Sequence, residues 1–161
     1  MGSKIKVSLP MTGGCQCGAI KYEINSMPLT LYACHCTECQ KQSSSGFGMS
    51  MPVPKIGFKI ISGNPKYWSR TSNSGRTVNC AFCPECGTRL FHEPLRNKEI
   101  VNVKPGTLDK TKWINPVAHL WLSSAQTGVV IPESKLYFQK QPDSFEPLYQ
   151  AWLNQYEPSH A

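Results

Sequence analysis

Short apolar runs with a period of two, punctuated by turn residues, recur along most of this chain. Ile20, Tyr22 and Ile24 share one face of a segment over 19–24, the alternation of a half-buried strand. Similar strand-like runs fall at 29–33, 49–53, 58–62, 66–70 and 77–82, with turn signals such as Ser62-Gly63-Asn64-Pro65 between them. Residues 89–92 and 100–103 read as a pair of core strands, and 117–122 as another. The pattern changes once. In 145–156, Leu148, Trp152 and Tyr156 are spaced four apart, which predicts a C-terminal helix packed on the sheet. Thr37 and Gln40 have the spacing of a capping box, predicting one short helical turn over 38–42. Ser43 to Gly48 is small and flexible in composition, as suits a loop that lets a ligand approach the backbone.

Composition narrows the fold class. With 161 residues, 40% of them hydrophobic, the chain can bury one core, and no internal repeat divides it. The 13 prolines and 12 glycines are spread along short strands, which favours a mainly β fold of hairpins over a helical bundle. A single domain over 1–161 is expected. No run approaches the length of a membrane span, and residues 1–10 lack the apolar core of a signal peptide, so a cytoplasmic protein is expected.

The chemistry lies in eight cysteines. Cys15 and Cys17 form a C-x-C pair. Cys34, Cys36 and Cys39 form a C-x-C-x-x-C cluster, and Cys83 and Cys86 flank Pro84-Glu85 in a knuckle. Short spacings bring thiolates together across tight turns, the geometry of a tetrahedral soft-metal site. Disulfides are disfavoured where export signals are missing and thiols stay reduced. The knuckle supplies two ligands and must borrow two, with Cys15 and Cys17 the nearest donors. Cys34, Cys36 and Cys39 then remain as a trio, open to water or a substrate thiol, or closed by Cys80, His35, His92 or His119. A different grouping, such as Cys15, Cys17, Cys34 and Cys36, is compatible with the spacing. The four-plus-three split implies two Zn2+ ions per chain. His119 and Trp121 read as core or pocket wall.

Charge then limits the partners. The formal net charge is +7. Seven metal-bound thiolates and two zinc ions would bring it to roughly +4. The 17 Lys and Arg are scattered singly, without the stripe a nucleic-acid groove requires, so a small anionic ligand is the better match.

Five ordered motifs carry a family resemblance: Gly13-Gly-Cys-Gln-Cys-Gly18, Cys34-His-Cys-Thr-Glu-Cys39, Phe82-Cys-Pro-Glu-Cys-Gly-Thr88, Gly106-Thr-Leu-Asp109 and His119-Leu-Trp121. The set resembles the glutathione-dependent formaldehyde-activating enzymes, or S-(hydroxymethyl)glutathione synthases, over residues 12–143. The resemblance implies an Mss4-like fold of β-sheets and hairpins. It implies a structural zinc on Cys15, Cys17, Cys83 and Cys86, and a labile, catalytic zinc on Cys34, Cys36 and Cys39. It also implies carbon–sulfur lyase or synthase chemistry, joining glutathione and formaldehyde. One departure stands out: where the family usually has Ser-Gly-Ser after the trio, this chain has Ser43, Ser44 and Ser45.

An open thiolate-rich zinc would deprotonate an incoming thiol, which could then attack an aldehyde carbonyl. Lys41, Ser43 and Phe47 are the expected contacts for the thiol ligand. The competing classes are an interaction module with structural metals only, binding protein or nucleic acid, and a zinc-buffering or redox protein.

Overall fold

In the computed structural model, which describes residues 2–72 and 74–160, the alternation at the start of the chain builds a three-stranded sheet. β1 (Ile5–Val7) is followed by β2 (Met11–Gly14) and β3 (Lys21–Ile24), and β2 and β3 pair antiparallel. Tyr22 and Ile24 point inward from β3, 1% and 0% exposed, as the period-two pattern requires. β4 (Tyr32–Cys34) then leads into α1 (Thr37–Ser43), and β5 (Gly48–Pro54) returns antiparallel beside β4. β6 (Phe58–Ser62) completes the first sheet in the order β2-β3-β6.

The remaining strands extend the larger sheet. They are β7 (Lys66–Thr71), β8 (Thr77–Phe82), β9 (Arg89–Pro94), β10 (Ile100–Val103), β11 (Ala118–Leu120) and the two-residue β12 (Leu136–Tyr137). Its order is β12-β11-β4-β5-β10-β9-β8-β7. The expected pairing of the strands at 89–92 and 100–103 is present, with Val103 opposite Phe91. β11 runs parallel to β4, setting Leu120 opposite Cys34. The fold class is therefore mainly β, as the turn-rich pattern predicts.

The C-terminal helix α2 (Glu146–Gln155) forms where 3.6-residue spacing replaces alternation, and it buries Leu148 and Trp152. It passes directly into β13 (Tyr156–Pro158), which pairs parallel with β1. This end-to-end pair is absent from the sequence reading, since three-residue strands carry too little periodicity to register. The Tyr156 ring stacks on Trp152 at 4.0 Å between centroids and meets Trp113 edge-on. Its hydroxyl donates to the Asn115 carbonyl at 2.6 Å and accepts from the Asn115 backbone N–H at 3.0 Å.

The carbonyl of Asn115 has a second donor in Gln155 Nε2, whereas its N–H has Tyr156. Tyr156→Phe should therefore cost about 1–2 kcal/mol, chiefly by orphaning that N–H. Urea denaturation should show a lower midpoint with an unchanged slope.

Candidate metal centres and the adjoining cleft

The first cysteine set is assembled by two loops on different sheets. Cys15 and Cys17 leave β2 in a tight turn, where Gly18 adopts φ +81° and its N–H donates to the Cys15 carbonyl. Cys83 and Cys86 sit between β8 and β9, closed by Gly87 N–H on the Cys83 carbonyl with Gly87 at φ +77°. All four sulfurs lie within 4.8 Å of one another. Cys17 Sγ is 3.6 Å from Cys15 Sγ and 3.7 Å from Cys83 Sγ. A tetrahedral zinc with bonds of about 2.3 Å needs sulfur–sulfur edges of roughly 3.8 Å, so the donor set fits such an ion.

Thr88, part of the knuckle motif but given no role by the sequence, links the two loops. Its hydroxyl contacts Cys86 Sγ at 3.2 Å and accepts from Gln16 N–H at 3.1 Å. The Thr88 hydroxyl, then the Thr88 and Cys17 backbone groups, bring the Cys86 thiol down to about 6. Ile20 N–H likewise donates to Cys15 Sγ at 3.1 Å. Amides aimed at sulfur stabilise thiolates ready to bind metal.

The second set is Cys34, Cys36 and Cys39, all buried, with sulfurs again within 4.8 Å of one another. β4 delivers Cys34, and α1 carries Cys39. The capping box expected at Thr37 and Gln40 is replaced by a thiol cap: Cys36 Sγ accepts from Cys39 N–H at 3.3 Å. Gln40 instead turns back, donating to the carbonyls of His35 at 2.8 Å and Ser124 at 2.9 Å. Contacts with Cys34 and Cys39 push the Cys36 thiol strongly down, and the same contacts push Cys34 strongly up. One proton leaves readily and the next are held, the behaviour of crowded thiols that a metal cation resolves.

Among the described residues, no fourth side chain joins this trio. Cys80 is fully buried on β8, opposite His92, and belongs to neither set. His35 points away from the sulfurs' grouping, with Nε2 2.9 Å from His119 Nδ1. His92 receives Arg89 Nη1 at 3.0 Å. Burial, then the charges of Lys104, Arg89 and Arg70, drive its pKa far below the usual imidazole range, so it is neutral at physiological pH.

The trio opens into a cleft bounded by Tyr32 and Trp121 on one side and by the β7–β8 hairpin on the other. Trp121 adopts φ 62°, a left-handed conformation rare for a large side chain, and its indole N–H donates to Gln141 Oε1 at 3.2 Å. Lys104 lies in the wall, 8% exposed, donating to Ser50 Oγ at 3.1 Å. Burial lowers its pKa, against the opposing charges of Cys39, Cys34 and Cys80. Arg70, Arg76 and Arg96 line the same cleft.

The expected ligand contacts Lys41, Ser43 and Phe47 are not in its lining. Lys41 is exposed on α1. The Ser43 hydroxyl is consumed by the backbone carbonyls of Cys39 at 2.7 Å and Phe47 at 3.0 Å. Phe47 packs on His35, with ring centroids 5.1 Å apart, and faces a separate hollow beside His119 and Val130. The residues following the trio in sequence stabilise the helix end, and the cleft draws its polar groups from strands much further on.

Two thiol clusters, one in surface loops and one at a cleft, each able to hold a metal ion, stand on a mainly β frame. The chain belongs to the glutathione-dependent formaldehyde-activating enzyme family, whose model matches residues 10–124. In the solved crystal structure of a Rhodobacter sphaeroides protein the fold recurs with a TM-score of 0.52 at 21% identity, over 66% of this chain and 92% of that one.

Ser44, standing where the family usually has glycine, takes the left-handed conformation at the C-cap of α1, with φ 52° and ψ 40°. A side chain pays a steric cost there that glycine avoids. Ser44→Gly should stabilise the protein by about 0.5–1 kcal/mol, read as a higher denaturation midpoint. A destabilised variant would show that the Ser44 side chain makes up more than this strain.

Proposed function

We propose that this protein is a zinc-dependent enzyme of carbon–sulfur chemistry, joining a small anionic thiol to an aldehyde. Glutathione and formaldehyde are the first candidates. The observation that carries this reading is the buried cysteine trio, three donors without a fourth among the described residues, in a cleft lined by cations. Family membership supports the same activity class. In this reading Cys15, Cys17, Cys83 and Cys86 hold a structural Zn2+, while Cys34, Cys36 and Cys39 hold a second, labile one. A zinc ion held by the trio supplies the positive charge that favours the thiolate form of an incoming thiol.

The protein's own groups do the rest. Cys34 and Cys36, held by β4 and the thiol cap, fix where the substrate sulfur sits. Trp121, anchored by Gln141, forms a wall that limits water on one side. The reaction forms one carbon–sulfur bond: sulfur attacks the carbonyl carbon, and the thiol proton ends on the aldehyde oxygen as a hydroxyl. Negative charge develops on that oxygen, and Lys104 Nζ, beside Ser50, is the buried cation available to stabilise it. The reverse sequence cleaves the adduct. A reducing cytoplasmic setting keeps all seven thiols available.

Metal analysis should give about two zinc ions per chain, and a chelator should remove the trio's ion first. Cys83→Ser should lower the melting temperature by roughly 10 °C, because a zinc-linked loop pair is lost. Cys36→Ser should largely keep the fold, since serine can also cap α1, while emptying the second site. Exchange NMR of formaldehyde with S-hydroxymethylglutathione should show acceleration by zinc-loaded protein and none by Cys36→Ser. Equal unfolding of both variants, with no acceleration, would point to a purely structural zinc module.

A further inference from the structure

Three arginines meet at one end of the cleft, although they are far apart in the chain. Arg70 lies on β7, Arg76 in the turn before β8, and Arg96 in the turn after β9. Antiparallel pairing gathers them: Arg70 is opposite Val78, Val78 is opposite Pro94, and Leu95 N–H reaches the Thr77 carbonyl. Among the described residues the one ion pair is Lys55–Glu93, so none of the three guanidinium groups has a carboxylate partner. Unpaired like charges in one cleft repel one another, a cost that an anionic ligand would remove. The arginine fork favours planar, bidentate recognition of carboxylates.

Two further groups in the lining refine the ligand. Asn102 Oδ1, in a residue that lines the same cleft, is buried without a donor, and it calls for a ligand N–H. Glu38, on α1 beside the trio, is the acid in the lining, placed to receive an ammonium group.

We infer that Arg70, Arg76 and Arg96 are specificity-determining residues that bind two carboxylates of a peptide-like thiol, with Asn102 accepting one of its amide N–H groups. The inference rests on the thiol-binding reading of the trio, and it assigns the selectivity to the β7–β8 and β9–β10 turns. The ligand spans the cleft, its sulfur toward Cys34, Cys36 and Cys39 and its carboxylates toward the hairpin. A thiol lacking remote carboxylates has nothing to pair with the arginines.

S-methylglutathione tests this apart from metal chemistry, since its blocked sulfur cannot become a thiolate. Calorimetry on zinc-loaded protein should show binding that weakens on esterifying either carboxylate. Arg70→Ala should weaken it by about tenfold or more, and Arg76→Ala and Arg96→Ala, which are more exposed, by about three- to tenfold each. The diester should bind equally poorly to all variants. Circular dichroism and zinc content should match the parent, as among the described residues these side chains make no hydrogen bond or ion pair. Absence of S-methylglutathione binding, or binding indifferent to esterification and to all three substitutions, overturns the inference. Thiol–aldehyde exchange measured in parallel separates the two readings. Exchange that persists with arginine-insensitive KM removes the inference alone, whereas carboxylate-dependent binding without exchange removes the activity and leaves the anion site standing.

Discussion

Crowded sulfur is the constraint around which this molecule is organised. Four Sγ atoms from loops 66 residues apart share a space under 5 Å across, and three more do so at the end of β4. Such groups cannot all ionise unaided, which is why the thiols of the trio diverge, Cys36 downward and Cys34 upward. A bound dication turns that repulsion into attraction. The location of the first set matters for the fold, because Cys15 and Cys17 follow β2 of the small sheet while Cys83 and Cys86 join β8 to β9 of the large one. An ion shared by these loops would fix the two sheets to each other at one point, much as a disulfide would in an oxidising compartment.

The two clusters have similar donors and different surroundings. Cys17 and Cys86 are exposed in short loops, supported by Thr88 and backbone amides and remote from any charged lining. The trio is buried and shares its cleft with Lys104 and with three guanidinium groups that have no carboxylate partner among the described residues. Surroundings of the second kind hold an anion as well as a metal. This contrast is what supports a structural role for the first set and a chemical one for the second in the function proposed above.

Much of this was legible in the residues. Alternation located Tyr22 and Ile24, four-residue spacing located Leu148 and Trp152, and the cysteine spacings gave both groups that the fold assembles. The arginines were not legible, because their meeting depends on hairpin register rather than on proximity in sequence. Proximity to Cys39 in sequence points to Lys41, Ser43 and Phe47, whereas helical geometry turns Lys41 outward and backbone carbonyls occupy the Ser43 hydroxyl. The cap on α1 was misread for a related reason: a cysteine can fill a position that sequence rules reserve for oxygen.

Among the described residues, the two non-glycines with positive φ, Ser44 and Trp121, both flank the trio. Backbone in this region persists only where neighbouring contacts over-determine it. Here those contacts are on view. Ser44 N–H is held by the carbonyls of Gln40 and Lys41, and the carbonyl of Trp121 accepts from the N–H of Ser124. The His35 carbonyl, between two of the sulfurs, receives Gln40 Nε2 and Ser124 Oγ together. The loop carrying Cys34 and Cys36 is thus fixed by hydrogen bonds from α1 and from the segment after β11, independently of any metal. A cluster held in this way does not need a fourth protein ligand for its geometry. A coordination position left open on an ion bound there would not loosen the fold.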